Sequence, residues 1–112
     1  MNKDNIKQKL YVQNFKSNNG LVLRTINILR YQYHKLSDIE KVLEDEGIER
    51  WEFIDAVNYL SLSGYIKMKI IGEQTIIEEI SQYHDYTDLE AKLSAKGIKL
   101  LSGSIVDEDV EV

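Results

Sequence analysis

The sequence predicts a small α+β domain, and three observations carry that expectation. Apolar residues recur at helical spacing through much of residues 4–63, in runs that stop at Gly47 and Gly64. From Tyr65 to Ile71 the period changes to two, with Ile66, Met68 and Ile70 alternating with Lys67 and Lys69. The 112 residues, 43% hydrophobic and 29% charged, suit one domain around a single core.

Taken in order, residues 4–16 place Ile6, Leu10 and Phe15 near helical spacing with lysines between them. The Ser17-Asn18-Asn19-Gly20 cluster is expected to end that segment. A denser apolar helix follows at 21–33, where Leu21, Leu23, Ile26, Ile28 and Leu29 mark a central core element. Ser37-Asp38-Ile39-Glu40 has the form of a capping box, opening a helix that buries Ile39, Val42 and Leu43 and stops at Gly47. A third helix over about 50–63 turns Phe53, Val57 and Leu60 inward and ends at Gly64. The strand at 65–71 is expected to return through a two-residue turn at Gly72-Glu73 into residues 74–80, which sets Lys67 opposite Glu78. After a polar loop at 82–86, Leu89, Ala91 and Leu93 alternate again. Ser94 then caps a short helix with Leu100 and Leu101, and residues 103–112 read as an acidic tail.

Composition removes several classes of chemistry. With no cysteine the chain holds no disulfide, thiolate zinc site or thiol nucleophile. The opening MNKDNIKQKL has no apolar signal core, and no run approaches the roughly 18 apolar residues of a membrane span. A cytoplasmic protein, monomeric or a small oligomer, is the expectation. Charge is uneven: residues 1–35 carry seven basic residues against Asp4 alone, and the remainder carries seven basic against eighteen acidic. A basic third of this kind meets a polyanion, the chain's own acidic remainder, or only solvent.

The order helix, helix, helix ending in glycine, then hairpin resembles a winged helix-turn-helix domain. The resemblance rests on "LSDIEKVLEDEGI", on "ERWEFIDAVNYLSLSGYI" entering a strand, and on the closing "LSAKGIKLLSG". It covers roughly residues 19–105 and is most similar to small winged-helix proteins of Mu-like prophages. It implies a three-helix core with a β-hairpin wing, preceded by an additional N-terminal helix. The corresponding units are a basic helix at 1–18, a winged-helix domain at 19–103 and an acidic tail at 104–112. The wing region, 65–93, is longer than that pattern usually shows, and the lysine-rich helix at 4–16 is an addition to it.

The resemblance implies a non-catalytic, phage-type transcriptional regulator that binds double-stranded DNA. Lys7, Lys9, Lys67 and Lys69 would meet phosphates, and Arg50 and Asn58 would lie near bases. The outer face of helix 50–63 is poorly suited to a groove, because Glu49, Glu52 and Asp55 would repel phosphates. Its outward Trp51, Ile54 and Leu62 point to the alternative, a homodimer or protein interface without DNA binding. They could equally be covered by the N-terminal helix or the tail. Tyr11, Tyr31 and Tyr33, interspersed with Arg30 and Lys35, are either stacking surfaces or half-buried core edges.

Catalysis lacks a constellation, so an enzyme is not expected. His34 and His84 stand fifty residues apart. His84-Asp85 with Asp88 has only a loose metal-ligand spacing, so no metal or cofactor is expected. Ser61 and Ser63 before Gly64 lack a nucleophile elbow or an adjacent base. The six glycines occur singly, so no loop cradles a phosphate, and no small-molecule substrate is evident.

Overall fold

A computed structural model describes residues 3–81 and 85–112. It is an α+β domain with four α-helices and a four-stranded antiparallel sheet among the described residues. Helices α1 (Lys3–Ile26), α2 (Leu36–Leu43) and α3 (Arg50–Leu62) precede most of the sheet, and α4 (Ala95–Ser102) follows it. The strands are β1 (His34–Lys35), β2 (Ile66–Ile70), β3 (Ile76–Ile77) and β4 (Leu89–Leu93), in the order β1-β4-β2-β3.

The alternation read at 65–71 and 89–93 forms the two long strands. Ile66, Met68, Leu89, Ala91 and Leu93 are buried, and β2 pairs with β4 through five residue pairs, from Ile66↔Leu93 to Ile70↔Leu89. The inner face of the sheet closes over Val22, Leu23 and Ile26 of α1, Leu36, Ile39 and Leu43 of α2, and Phe53, Val57 and Leu60 of α3. The expected inward stripe of α3 is therefore wholly in the core. Gly47 and Gly64 both adopt the left-handed conformation, with φ of 76° and 85°, which only glycine enters without strain.

Several local expectations need correction. Residues 4–33 are not two helices broken at Ser17–Gly20, because α1 runs unbroken from Lys3 to Ile26. The polar cluster serves another purpose. Asn19 is fully buried and donates through Nδ2 to the Asp109 carbonyl at 2.9 Å, and a Cβ on Gly20 would overlap the carbonyl oxygen of Glu111. After Ile26 the chain tightens into a 3-10 turn over Asn27–Leu29, leaving Ile28 and Leu29 exposed instead of in the core. The boundary drawn between 18 and 19 thus falls inside one helix.

Ser37 is not a cap, since α2 begins a residue earlier with no side-chain cap at Lys35. Val42, expected inside, is exposed on the far side of this helix. The working capping box lies at α3, where Glu52 accepts the Glu49 backbone N–H at 3.0 Å. The hairpin keeps the expected register, pairing Met68 with Ile77 and so leading on to Lys67 and Glu78. Its turn is longer than two residues: Glu73 N–H donates to the Ile70 carbonyl, with Gly72 at φ 80°, and Ile70 N–H donates to Thr75. Ser94 caps α4 as expected, accepting from Gly97 N–H at 3.1 Å.

The acidic tail is part of the fold. Val110 is buried, Glu111 N–H donates to the Lys16 carbonyl, and Arg24 donates to the Glu111 carbonyl at 2.6 Å. This segment straps across the middle of α1.

Candidate functional site

The face where α1 lies along α3 gathers the groups singled out on the sequence. Residues 4–14 of α1 are exposed, and Ile6, Leu10, Tyr11 and Val12 place large apolar surface in solvent. Tyr11 stacks on Trp51, with ring centroids 6.4 Å apart and planes 4° from parallel. On its other side Tyr11 stacks on Phe15, which meets Tyr59 edge-on at 5.1 Å. A row of four aromatic rings therefore runs across the two helices.

Polar bonds fix this row. The Tyr11 hydroxyl donates to Asp55 at 3.1 Å, Asn18 donates to Glu52 at 3.1 Å, and Trp51 Nε1 donates to Glu49 at 2.8 Å. Partial burial, then the bond to Asp55, raises the Tyr11 pKa above its ordinary value. Of the three residues proposed for an interface, Trp51 is 55% exposed and Leu62 59% exposed, whereas Ile54 packs half-buried against the core. The N-terminal helix thus leans on Trp51 but leaves more than half of it open.

Three of the residues proposed for DNA, Asn58, Arg50 and Lys69, have partners within the chain. Asn58 accepts Ile80 N–H at 2.7 Å and donates back to the Ile80 carbonyl at 3.3 Å, closing the segment after β3 onto α3. Arg50 pairs with Glu40 at 3.3 Å and lies over the Tyr86 ring. Lys69 pairs with Glu90 at 2.7 Å, and both side chains are largely buried. Lys7 lines the cleft beside Tyr11 and Trp51, and Lys9 lies further along α1. Lys67 is exposed on the sheet. These six residues do not converge on one surface.

A second polar centre was not visible in the sequence. Asp107 accepts the hydroxyls of both Tyr59 and Tyr65 at 2.7 Å, joining the strap to α3 and to the residue preceding β2. Burial alone would raise the Asp107 pKa, but the Tyr65 hydroxyl, Asp109 N–H and the Tyr59 hydroxyl outweigh it and hold it below the ordinary value. Burial, then the bond to Asp107, pushes Tyr59 up to about 12 and raises Tyr65 as well. No local motif announces this centre, because its members lie 48 and 42 positions apart.

A pH dependence follows. The depressed Asp107 value means its stabilising contribution is full above the unfolded pKa of about 3.9 and is lost as pH falls through the folded value. The raised tyrosine values act oppositely: their contribution is full below about pH 10 and is lost as pH rises through about 12. In urea titrations, Asp107→Asn is expected to flatten the acid limb relative to the parent. Identical acid limbs would dismiss this role for Asp107.

Among the described residues no three His, Cys, Asp or Glu side chains are grouped to hold a metal ion. His84, half of the loose His84-Asp85 spacing, lies outside the described residues, and Asp85 caps a turn by accepting Thr87 N–H at 3.0 Å. No helix among the described residues is long and apolar enough to cross a membrane. Comparison with known proteins finds no matching family model, curated protein or solved structure.

Proposed function

We propose that the protein is a non-catalytic winged-helix interaction module that self-associates through the α1–α3 face. The order of elements supports the winged-helix reading: β1 precedes α2 and α3, and pairs with β4 beyond the hairpin excursion. The observation that carries the interaction reading is the exposed apolar half of α1 beside the open Trp51 ring. Apolar surface of this extent on a helix whose far half is already packed marks a contact face.

Charge selects a second copy as the occupant. The exposed half of α1 carries Lys7 and Lys9, and the adjoining edge of α3 carries Glu49, Glu52 and Asp55. One face thus presents a basic, apolar helix beside an acidic, apolar groove. A two-fold axis would set each helix over the other copy's groove, as an isologous interface requires.

Light scattering at sub-millimolar concentration is expected to give a mass of twice 13.0 kDa, and Leu10→Glu to restore the single-chain mass. A parent protein that stays monomeric there overturns the reading. A DNA-binding regulator is the second reading, favoured by the winged-helix order. The α3 surface gives it little support, because Asn58 is bonded to the Ile80 backbone and Arg50 is paired with Glu40.

A further inference from the structure

In the middle of α1, Asn19 and Gly20 place a chemically vulnerable side-chain amide under the strap. Asparagine followed by glycine is the pair most open to intramolecular deamidation. Without a Cβ, the second residue lets its backbone nitrogen reach the side-chain carbonyl carbon unhindered. No other asparagine of the chain precedes a glycine. Within α1 the backbone N–H of Gly20 points along the helix towards the Lys16 carbonyl, away from that carbon, and the reaction is blocked.

The helix is weak at this point. Ser17, Asn18, Asn19 and Gly20 are poor helix formers in succession. The strap is what clasps them. The Lys16 carbonyl accepts Glu111 N–H at 3.1 Å, Asn19 Nδ2 donates to the Asp109 carbonyl at 2.9 Å, and Arg24 donates to the Glu111 carbonyl at 2.6 Å. Gly20 lies so close under that last oxygen that a Cβ would overlap it. Asn19 is fully buried, and its Oδ1 has no hydrogen-bond partner among the described residues. The amide is therefore held in place through its bond to the strap.

We infer that Asn19 is a deamidation site gated by release of the strap. With residues 107–112 lifted, α1 loosens over residues 17–20 and the Asn19 side chain meets water. The Gly20 nitrogen attacks Asn19 Cγ: an N–Cγ bond forms, the Cγ–Nδ2 bond breaks, and Nδ2 leaves as ammonia with the proton lost from the Gly20 nitrogen. Water then opens the cyclic imide at either carbonyl, giving aspartate or isoaspartate at position 19. Neither product rebuilds the seat. A carboxylate has no proton to give the Asp109 carbonyl and would be an unpaired charge in a buried position. Isoaspartate adds a methylene to the backbone of α1. Strap release is reversible before the reaction and permanent after it. This inference does not rest on self-association, because none of these contacts involves Leu10 or Trp51.

Incubating the full chain at mildly alkaline pH, then sequencing the tryptic peptide of residues 17–24 by tandem mass spectrometry, reads conversion at Asn19 directly. A free peptide of the same sequence gives the unprotected rate. The parent is expected to react about a hundredfold or more slowly than the peptide, since only its strap-released fraction reacts. Val110→Asp puts a charge where the strap buries an apolar side chain, and should react about tenfold or more faster than the parent. Asp107→Ala, which removes the acceptor of the Tyr59 and Tyr65 hydroxyls, should accelerate it as well. Ile39→Val weakens the core at α2, a helix to which the strap makes no hydrogen bond among the described residues, and should keep the parental rate. A parent as reactive as the peptide, or strap variants no faster than the parent, overturns the inference. So does acceleration by Ile39→Val equal to that by Val110→Asp, which would assign the reaction to global unfolding, or conversion at Asn18 in place of Asn19.

Discussion

Gly20→Ala is expected to cost about 3 kcal/mol in the full chain and to become mildly stabilising once residues 107–112 are removed. Alanine is the better helix former by about 1 kcal/mol, and Gly20 sits within α1, so propensity alone predicts a gain. In the full chain the new Cβ would overlap the Glu111 carbonyl oxygen, which Arg24 already holds at 2.6 Å. The strap must then lift, exposing Val110 and releasing the buried Asn19 bond to Asp109. Chemical denaturation of the four chains, with and without the substitution and the strap, completes a double-mutant cycle. An equal effect in both backgrounds would show that the strap does not set the identity of residue 20.

Gly97→Ala is expected to cost as much by a different route. A Cβ there would overlap the Tyr65 carbonyl oxygen and crowd Leu93. That oxygen also accepts Ser94 N–H at 3.0 Å, and the Ser94 hydroxyl donates to the Gly64 carbonyl at 2.5 Å. The obstructing atom is therefore fixed by the cap of α4 and cannot move aside cheaply. Overpacking together with a damaged cap comes to about 3 kcal/mol, or a fall of more than about 10 °C in Tm for a domain of this size. A drop of only a degree or two would mean that α4 can slide along the sheet.

These glycines show where the sequence was legible and where it was not. Positive-φ positions announced themselves: Gly47 and Gly64 follow apolar helical runs, and a left-handed residue there is a local requirement. Strand alternation was local too, so Ile66, Met68, Ala91 and Leu93 were assigned to the core correctly. Gly20 and Asn19 have the form of a helix break in the sequence, because their partners, Glu111 and Asp109, lie some ninety positions away. Ser37 satisfied the capping pattern, yet the backbone began the helix earlier, and two glutamates supplied the box at α3.

The candidate surfaces divide in the same manner. Trp51 and Leu62 were found from helical periodicity, and both are exposed. The place of Tyr11 on Trp51 depends on how α1 crosses α3, which no local pattern in the sequence encodes. Asn58 stands on the outer side of its helix in the sequence pattern, and its bonds to Ile80 depend on the path of the chain after β3.

The strap gives the domain a particular order of assembly. Val110 fills the core and Glu111 bonds to Lys16, so the surface of α1 is finished by residues made some ninety positions later. Synthesis delivers α1 first, and contacts of such long sequence separation close slowly. Until then the strap's seat on α1 is bare and the nascent domain lacks its last clasp. Until the strap docks, the domain stays open to a protease along that seam, with the middle of α1 uncovered.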